Sequence, residues 1–215
     1  DEKKSKVGGA SFFQAFVFEE FYPDYLCIVS GKESSLINGF PDIDKVKFIK
    51  KDNTHYFINE YPDEDNVDIR IQSSNFADIP ISKGDLEDIL PNDIDAFVIN
   101  PLNAFDFPKE TVDYLKTFDV PIYMSIQGFL RYPSEKIGDN YSIELNLTQD
   151  VKEIVRDIDG LFLDENEASI LFEKDDCENF NIKDIIITNG SNGSRVISNG
   201  EYKIEAVKND CIIDD

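Results

Sequence analysis

The 215-residue sequence has no tryptophan, one methionine and a single histidine, His55. One histidine excludes metal sites built from several imidazoles, and a Ser-His-Asp triad would depend on this one side chain. The residues around His55 are polar and typical of a loop. We therefore expect His55 to be a surface or substrate-facing residue of a strand rather than a general base.

Cysteines and long apolar runs are also scarce. The three cysteines, Cys27, Cys177 and Cys211, are odd in number and widely spaced. A disulfide framework or a zinc site would need them paired or close together, so we expect buried thiols in the reducing cytoplasm. No apolar run approaches the roughly 20 residues of a membrane-spanning helix, and no secretory leader pattern occurs, so no membrane partner is expected.

Basic residues are few beside the acidic ones. The sequence has 21 Lys and Arg against 44 Asp and Glu, a formal net charge of −23. Such a field repels phosphate backbones, so nucleic acid is not an expected partner. Most of the acid is expected to be solvated surface. To bind an anionic substrate such as ATP, the protein would need a local site that attracts anions, made of backbone amides, a lysine or arginine, or a bound cation.

What is present is a regular alternation of strand-like and helix-like segments after residue 82. Helices are expected at residues 83–90, 107–118, 151–158 and 165–172, and buried strands at 96–100, 121–126, 160–163 and 185–187. Asp106 and Pro108 suit the cap and first turn of the second helix. This alternation predicts one α/β domain with a mostly parallel, doubly wound sheet and helices on both faces.

The first 80 residues have a different texture. Gly8 and Gly9 precede an apolar, helix-like run, which allows either close approach to a ligand at the helix N-terminus or tight packing of the helix on a sheet. A buried strand is expected at residues 25–30. Short alternating runs at 46–49, 55–59 and 67–72 are expected to form a three-stranded β flap outside the main core.

A glycine turn follows the last buried strand. The apolar run 185–187 ends in Thr188, and Gly190 and Gly193 come next at three-residue spacing. Such a turn can expose backbone N–H groups to an anion, or it can simply be a tight connection between strands. The Asn199-Gly200 pair then predicts a β-hairpin.

Polar residues follow the predicted parallel strands where those strands end: Asn100, Gln127, Asp164 and Thr188. Ligands of open α/β sheets bind outside the carboxyl ends of the strands. We therefore expect the functional site at this edge.

These pieces, in this order, resemble the ribokinase (PfkB) family of carbohydrate kinases over nearly the whole chain. The features that carry the resemblance are Gly8-Gly9, the flap at 46–72, residues 125–131, Asp164 with Glu167, and the turn from Thr188 to Gly193. The resemblance implies a ribokinase-like fold over residues 1–215, with a small β lid inserted at about 44–80.

The resemblance also implies a function. The protein would transfer the γ-phosphoryl group of ATP, with Mg²⁺, to a hydroxyl of a sugar, nucleoside or inositol-like polyol. Substrate contacts are then expected from Gly8, Gly9, His55, Phe57, Gln127 and Arg131. Nucleotide contacts are expected from Thr188, Gly190 and Gly193, and magnesium contacts, largely through water, from Asp164 and Glu167. A homodimer formed through the lid is a further expectation.

Two of these roles have a purely structural alternative. Arg131 could be a surface ion-pair partner, and Glu167 could be a first-turn helix residue favoured by the helix dipole. The sequence also departs from the family pattern, because Asp164 stands where the family has Asn.

A second departure is that no Gly-Ala-Gly-Asp segment, which carries the family's catalytic Asp, occurs before Asp215. We therefore expect that Asp to lie beyond residue 215, a first strand to precede residue 1, and the chain alone to be inactive. The alternatives are a non-catalytic nucleotide or polyol binder of the same fold, and an unrelated doubly wound protein.

Overall fold

A computed structural model describes residues 6–62, 71–172, 180–198 and 201–204. The helices are α1 (Ala10–Phe21), α2 (Lys83–Glu87), α3 (Lys109–Lys116), α4 (Gln127–Leu130), α5 (Gln149–Ile154) and α6 (Glu165–Leu171). The strands are β1 (Cys27–Gly31), β2 (Val46–Lys50), β3 (Phe57–Glu60), β4 (Ile71–Ser74), β5 (Phe97–Ile99), β6 (Ile122–Ser125), β7 (Arg131–Ile137), β8 (Asn140–Leu145), β9 (Gly160–Asp164), β10 (Asp184–Thr188), β11 (Ser194–Ile197) and β12 (Glu201–Ile204).

The main sheet has six strands in the order β12-β11-β10-β9-β6-β5. Strands β5, β6, β9 and β10 are parallel to one another, and β11 and β12 form a hairpin that pairs with β10 in the antiparallel direction at one edge. The hairpin is confirmed, although Asn199 and Gly200 lie outside the described residues. The short Val- and Ile-rich runs become strands whose alternate side chains, such as Ile99, Met124 and Leu161, are buried in the core, while Val98 and Phe162 on the other face are 41% and 40% exposed.

The core between sheet and helices is apolar and tightly packed. Its largest fully buried side chains include Phe129, Met124, Ile126, Leu130 and Leu161. Helix α2 begins with a capping box in which Ser82 and Asp85 bond each other's backbone amides. Within the described ranges, no helix combines the length and the apolar character that a membrane crossing requires.

The predicted cap of α3 was wrong. Helix α3 begins at Lys109, and its N-cap residue is Pro108, which has no side-chain cap. The Asp106 carboxylate instead accepts hydrogen bonds from the backbone amides of Leu102 and Asn103. Asp106 therefore organises the loop after β5 rather than the helix.

The predicted flap was wrong in its composition. Strand β2 pairs in parallel with β1, Cys27 opposite Val46, and so it does not belong to the flap. The small sheet has four antiparallel strands in the order β3-β4-β8-β7, which we call the lid sheet. Its hairpin β7–β8 was not predicted, and of the run at 67–72 only Ile71 and Gln72 are described, as part of β4.

Candidate functional site

The N-terminus of α1 lies at the edge of the main sheet formed by the carboxyl ends of the parallel strands. Asn100, after β5, donates its side-chain amide to Gln14 Oε1 at 2.7 Å and to Ser11 Oγ at 3.3 Å. Gly9, the N-cap residue of α1, has φ 93°, a conformation that favours glycine. A Cβ built on Gly9 would lie 3.4 Å from Leu102. The predicted residues Gly8 and Gly9 therefore lie beside the loop after β5.

Arg131 joins the lid sheet to this edge. It is the first residue of β7, and its guanidinium carbon lies 4.9 Å from the centre of the Phe57 ring in β3. Its positive charge lowers the pKa of both His55 and Glu167, and the side chain of Gln127 acts on the pKa of Glu167 in the same direction. The structure thus brings together five residues predicted separately from the sequence: His55, Phe57, Gln127, Arg131 and Glu167.

Glu167 is a buried carboxylate, only 4% exposed. Burial raises the pKa of Glu167, and the nearby charge of Asp164 acts in the same direction. Hydrogen bonds from the Asp164 backbone and the Gln127 side chain, together with the charge of Arg131, oppose this rise in pKa. A carboxylate held inside the protein by several donors is unlike the exposed helix residue that was the alternative.

Asp164 and Glu167 form a capping box at the start of α6. Asp164 Oδ1 accepts from the Glu167 amide at 2.8 Å, and Glu167 Oε2 accepts from the Asp164 amide at 2.9 Å. One oxygen of each carboxylate is thereby used by the backbone. Two adjacent carboxylates suit a hydrated Mg²⁺, which prefers oxygen ligands and keeps several waters. Among the described residues, no group of three or more His, Cys, Asp or Glu is placed to hold a metal directly.

His55 is buried rather than on the surface, and it precedes β3 instead of lying in it. Its Nε2 lies 3.1 Å from Ser74 Oγ, and its Nδ1 lies 3.1 Å from Asn103 Nδ2. Burial, with the charge of Arg131 as a smaller contribution, lowers the pKa of His55 to about 4. The expectation of a surface residue was wrong because His55 itself points inward to Ser74 and Asn103, while its neighbours Asn53 and Tyr56 remain exposed.

Asn103 and Asp106 were missed by the sequence reasoning as functional-site residues. Asn103 is fully buried, and its side-chain amide donates to Asp106 Oδ1 at 2.8 Å as well as contacting His55. An Asn three residues before an Asp in a loop after a strand is the one available signal, and it is common in ordinary turns.

The glycine turn after β10 is compact. Gly190 and Gly193 have φ values of 47° and 90°, which explains the choice of glycine at both positions. The amides of Asn189, Asn192 and Gly193 all donate to carbonyls within the turn. An anion would therefore not be bound by these three amides, contrary to the simple picture of an uncovered turn. Thr188 is exposed, and its hydroxyl lies 3.4 Å from the Leu163 carbonyl.

Thr188 is also paired in register with Asp164. The turn and the capping box are therefore neighbours at the same edge of the sheet. The guanidinium of Arg195 in β11 contacts both carboxylate oxygens of Glu165, the residue after Asp164, at 3.3 and 3.2 Å. The predicted nucleotide residue Thr188 and the predicted metal residue Asp164 therefore lie side by side on neighbouring strands.

Comparison with known proteins places the fold. No protein-family model matches the chain, and no curated protein matches it significantly. Solved structures do match. A pyrophosphate-dependent kinase of the ribokinase family in a sulfate complex is 23% identical with a TM-score of 0.65, covering 83% of this chain and 63% of its own.

Two further structures have the same architecture. One, described as a pyrophosphate-dependent myo-inositol-1 kinase converted by mutation into a myo-inositol-3 kinase, is 19% identical with a TM-score of 0.70, covering 94% of this chain and 70% of its own. Arabidopsis thaliana ribokinase with ribose and ATP is 15% identical with a TM-score of 0.53, covering 88% and 62%. The chain therefore has the ribokinase-like α/β fold, and it spans about 63% of the length of the first of these structures.

Proposed function

We propose that the protein is a kinase that transfers a phosphoryl group to a hydroxyl of a small sugar or polyol. The observation that carries this proposal is that Arg131, whose guanidinium carbon lies 4.9 Å from the centre of the Phe57 ring of the lid sheet, and the buried carboxylate of Glu167 both lie at the carboxyl edge of the main sheet. This edge is where ligands of α/β sheets bind. The similarity to structures of sugar, nucleoside and inositol kinases supports the same assignment.

Arg131 has the chemistry that phosphoryl transfer needs in a strongly acidic protein. The transferred group carries negative charge, whereas the whole chain has a net charge of −23. A local cation is therefore required, and a guanidinium binds phosphoryl oxygens with planar, paired hydrogen bonds. Arg131 lies over Phe57, so the lid that covers the acceptor also holds this cation.

Glu167 and Asp164 are the residues that we propose for holding magnesium. The ion, when bound through water, would neutralise charge on the phosphates. The capping box fixes both carboxylates relative to α6 before any ligand arrives. Thr188, Gly190 and Gly193 are proposed to contact the phosphoryl donor from the adjoining turn.

The acceptor proposed first is an inositol-like polyol, with sugars and nucleosides next. Residues 126–131 look most like those of family members acting on such polyols, and two of the similar structures are described with myo-inositol or as acting on it. Those structures are also described as pyrophosphate-dependent, so pyrophosphate is a second candidate donor beside ATP.

The test is a phosphorylation assay of the full-length protein with polyols, pentoses, hexoses and nucleosides, each with magnesium and either ATP or pyrophosphate. We expect turnover with at least one pair and a loss of about 100-fold or more in kcat/KM for Arg131→Gln. Arg156→Gln is the matched control, because Arg156 is exposed in the connection between α5 and the amino end of β9, away from the carboxyl edge. No turnover on any pair by folded protein would overturn the kinase proposal.

The second candidate function is a binder without catalysis. Its specific support is the tightly bonded glycine turn, since three amides expected to face an anion are used internally. It predicts that a donor or a polyol raises the melting temperature while no product forms. Thermal shift and product analysis on the same samples separate the two candidates.

We also propose that a second copy can pair through the lid. Strands β3 and β7 are the two edges of the lid sheet, and edge strands offer unpaired backbone groups. Sedimentation of the protein at several concentrations tests this, and a monomer at all of them would contradict it.

A further inference from the structure

The base of the lid sheet is joined to the main sheet through buried polar groups. His55 lies just before β3, and its Nε2 contacts Ser74 at the end of β4, at 3.1 Å. Its Nδ1 contacts Asn103, in the loop after β5, at 3.1 Å. His55 therefore bridges the two sheets, and with both ring nitrogens occupied it has no nitrogen left to offer a substrate.

Asp106 determines the orientation of the Asn103 side-chain amide, and with it the direction of the hydrogen bond to His55. The carboxylate of Asp106 can only accept when ionised, so the Asn103 side chain must point its NH₂ group at it, at 2.8 Å. The Asn103 oxygen accepts from the Phe105 amide at 2.8 Å, which fixes the same orientation independently. The second hydrogen of the Asn103 NH₂ group then faces His55 Nδ1.

The tautomer of His55 follows from this arrangement. Because Nδ1 faces a donor, it must be the unprotonated nitrogen, and the proton must sit on Nε2. Nε2–H then donates to Ser74 Oγ, which also accepts from the Phe76 amide at 3.1 Å. A second proton on Nδ1 would oppose the NH₂ group of Asn103, so the network holds only a neutral imidazole.

The same loop holds the other lid connection. The amide of Ala104 donates to the carbonyl of Arg131 at 3.1 Å, where β7 begins. The centre of the Phe57 ring lies 4.8 Å from that of the His55 imidazole, and the guanidinium of Arg131 lies over the same Phe57 ring. A shift of the loop after β5 would therefore move both Phe57 and Arg131.

We propose that Asp106, Asn103 and a neutral His55 imidazole form a hydrogen-bonded latch that positions Phe57 and Arg131 over the carboxyl edge of the main sheet. The latch is a matter of geometry alone, whereas its effect on acceptor binding rests on the proposed kinase function. His55 acts as a positioning residue, not as a ligand of the substrate. The charged groups that face it are Arg131 from β7 and, through Asn103, Asp106.

Nitrogen NMR of the labelled full-length protein observes the latch directly, and the imidazole signals that disappear in His55→Gln are those of His55. We expect the neutral Nε2–H tautomer from pH 6 to pH 8, with no titration in that range, since the pKa of His55 is lowered to about 4. An Nδ1–H tautomer, or a midpoint near the ordinary value of about 6.5, would overturn the latch.

Asn103→Asp tests the direction of the bond. A carboxylate in place of the amide accepts from Nδ1–H, so we expect the His55 midpoint to rise by at least one pH unit. Asn140→Asp is the control, because it adds the same charge in the lid sheet and keeps the oxygen that accepts from Tyr56. Equal midpoints in Asn103→Asp and wild type would overturn the assigned orientation.

Kinetics test the positioning role. In His55→Phe, which keeps a ring but loses both hydrogen bonds, we expect the acceptor KM to rise about tenfold with a smaller change in the donor KM. In His55→Gln, which restores one donor, we expect partial recovery. A fall in kcat alone, with KM unchanged, would indicate only less folded protein and would overturn the role. If the wild-type protein has no kinase activity, both the proposed function and the positioning role are overturned. The NMR experiment still shows whether the hydrogen-bonded latch exists.

Discussion

Gly128 leaves no room for any side chain at the centre of the candidate site. It lies buried in α4, and a Cβ built on it would be 2.1 Å from the carbonyl oxygen of Pro101. Because the obstacle is backbone, either α4 or the loop after β5 must move. Gln127 and Arg131, on either side, would move with it.

We therefore expect Gly128→Ala to lower the free energy of unfolding by about 3 kcal/mol, the cost of overpacking a rigid site. Gly84→Ala is the matched control, since Gly84 lies in α2 with only Ser82 Oγ near, at 3.9 Å. That change should be neutral or stabilising by about 0.5–1 kcal/mol. Urea unfolding measures the free-energy change of both variants. Equal unfolding midpoints for Gly128→Ala and Gly84→Ala would contradict the clash with Pro101.

His55 and Asp106 should make opposite contributions to the pH dependence of stability. The pKa of His55 is lowered to about 4, so its contribution is complete above about 6.5 and is lost as the pH falls to 4. Burial raises the pKa of Asp106 to about 6, so its contribution is present below about 3.9 and is lost as the pH rises through 6.

Subtracting the unfolding free energy of a variant from that of wild type isolates each group. The difference in unfolding free energy between wild type and His55→Gln should become smaller as the pH falls from 7 to 4. The difference between wild type and Asp106→Asn should become smaller as the pH rises from 4 to 7. Differences that do not vary with pH would mean that neither group is perturbed by folding.

The capping box at the start of α6 could be predicted because it depends only on local chain spacing. Asp164 and Glu167 are three residues apart at a helix start, so a capping box follows from the sequence. Asn103 has no such signal. Its importance comes from being buried against His55, 48 positions away in the chain, which spacing cannot reveal.

At the scale of elements, the parallel strands of the main sheet were predictable because each is a short apolar run with alternate residues buried in the core. Strand β7 was not, since its residues are partly or fully exposed and include Pro133 and three charged side chains. Strand β2 was predicted as a strand but assigned to the wrong sheet. Alternation identifies a strand, whereas its partner depends on contacts distant in sequence.

Helix α6 gives a prediction that separates structure from chemistry. Asp164→Ala removes the N-cap and should cost about 1 kcal/mol of unfolding free energy, while Asp164→Asn keeps a capping oxygen and should cost much less. If Asp164 also helps to hold magnesium, Asp164→Asn should raise the magnesium concentration needed for half-maximal activity. Equal stability losses in the two variants would contradict the cap.

At the scale of the whole molecule, the charge of −23 should itself destabilise the folded chain through self-repulsion. Salt screens such repulsion, because the Debye length falls from about 30 Å at 0.01 M to about 8 Å at 0.15 M. We expect the free energy of unfolding to rise by about 1 kcal/mol over this range of NaCl. KCl at the same ionic strength should have the same effect, since screening does not depend on which cation is present.

Magnesium at matched ionic strength separates this screening from binding at the candidate site. We expect MgCl₂ to stabilise the protein more than NaCl does, because ligand binding to the folded state adds to screening. Glu167→Gln should abolish the excess and keep the general salt effect, since Gln still closes the capping box. Glu135→Gln, on the exposed part of β7, removes the same charge elsewhere and should keep both effects. Equal stabilisation of wild type by the two salts would contradict the magnesium site, and stabilisation by neither would contradict the repulsion.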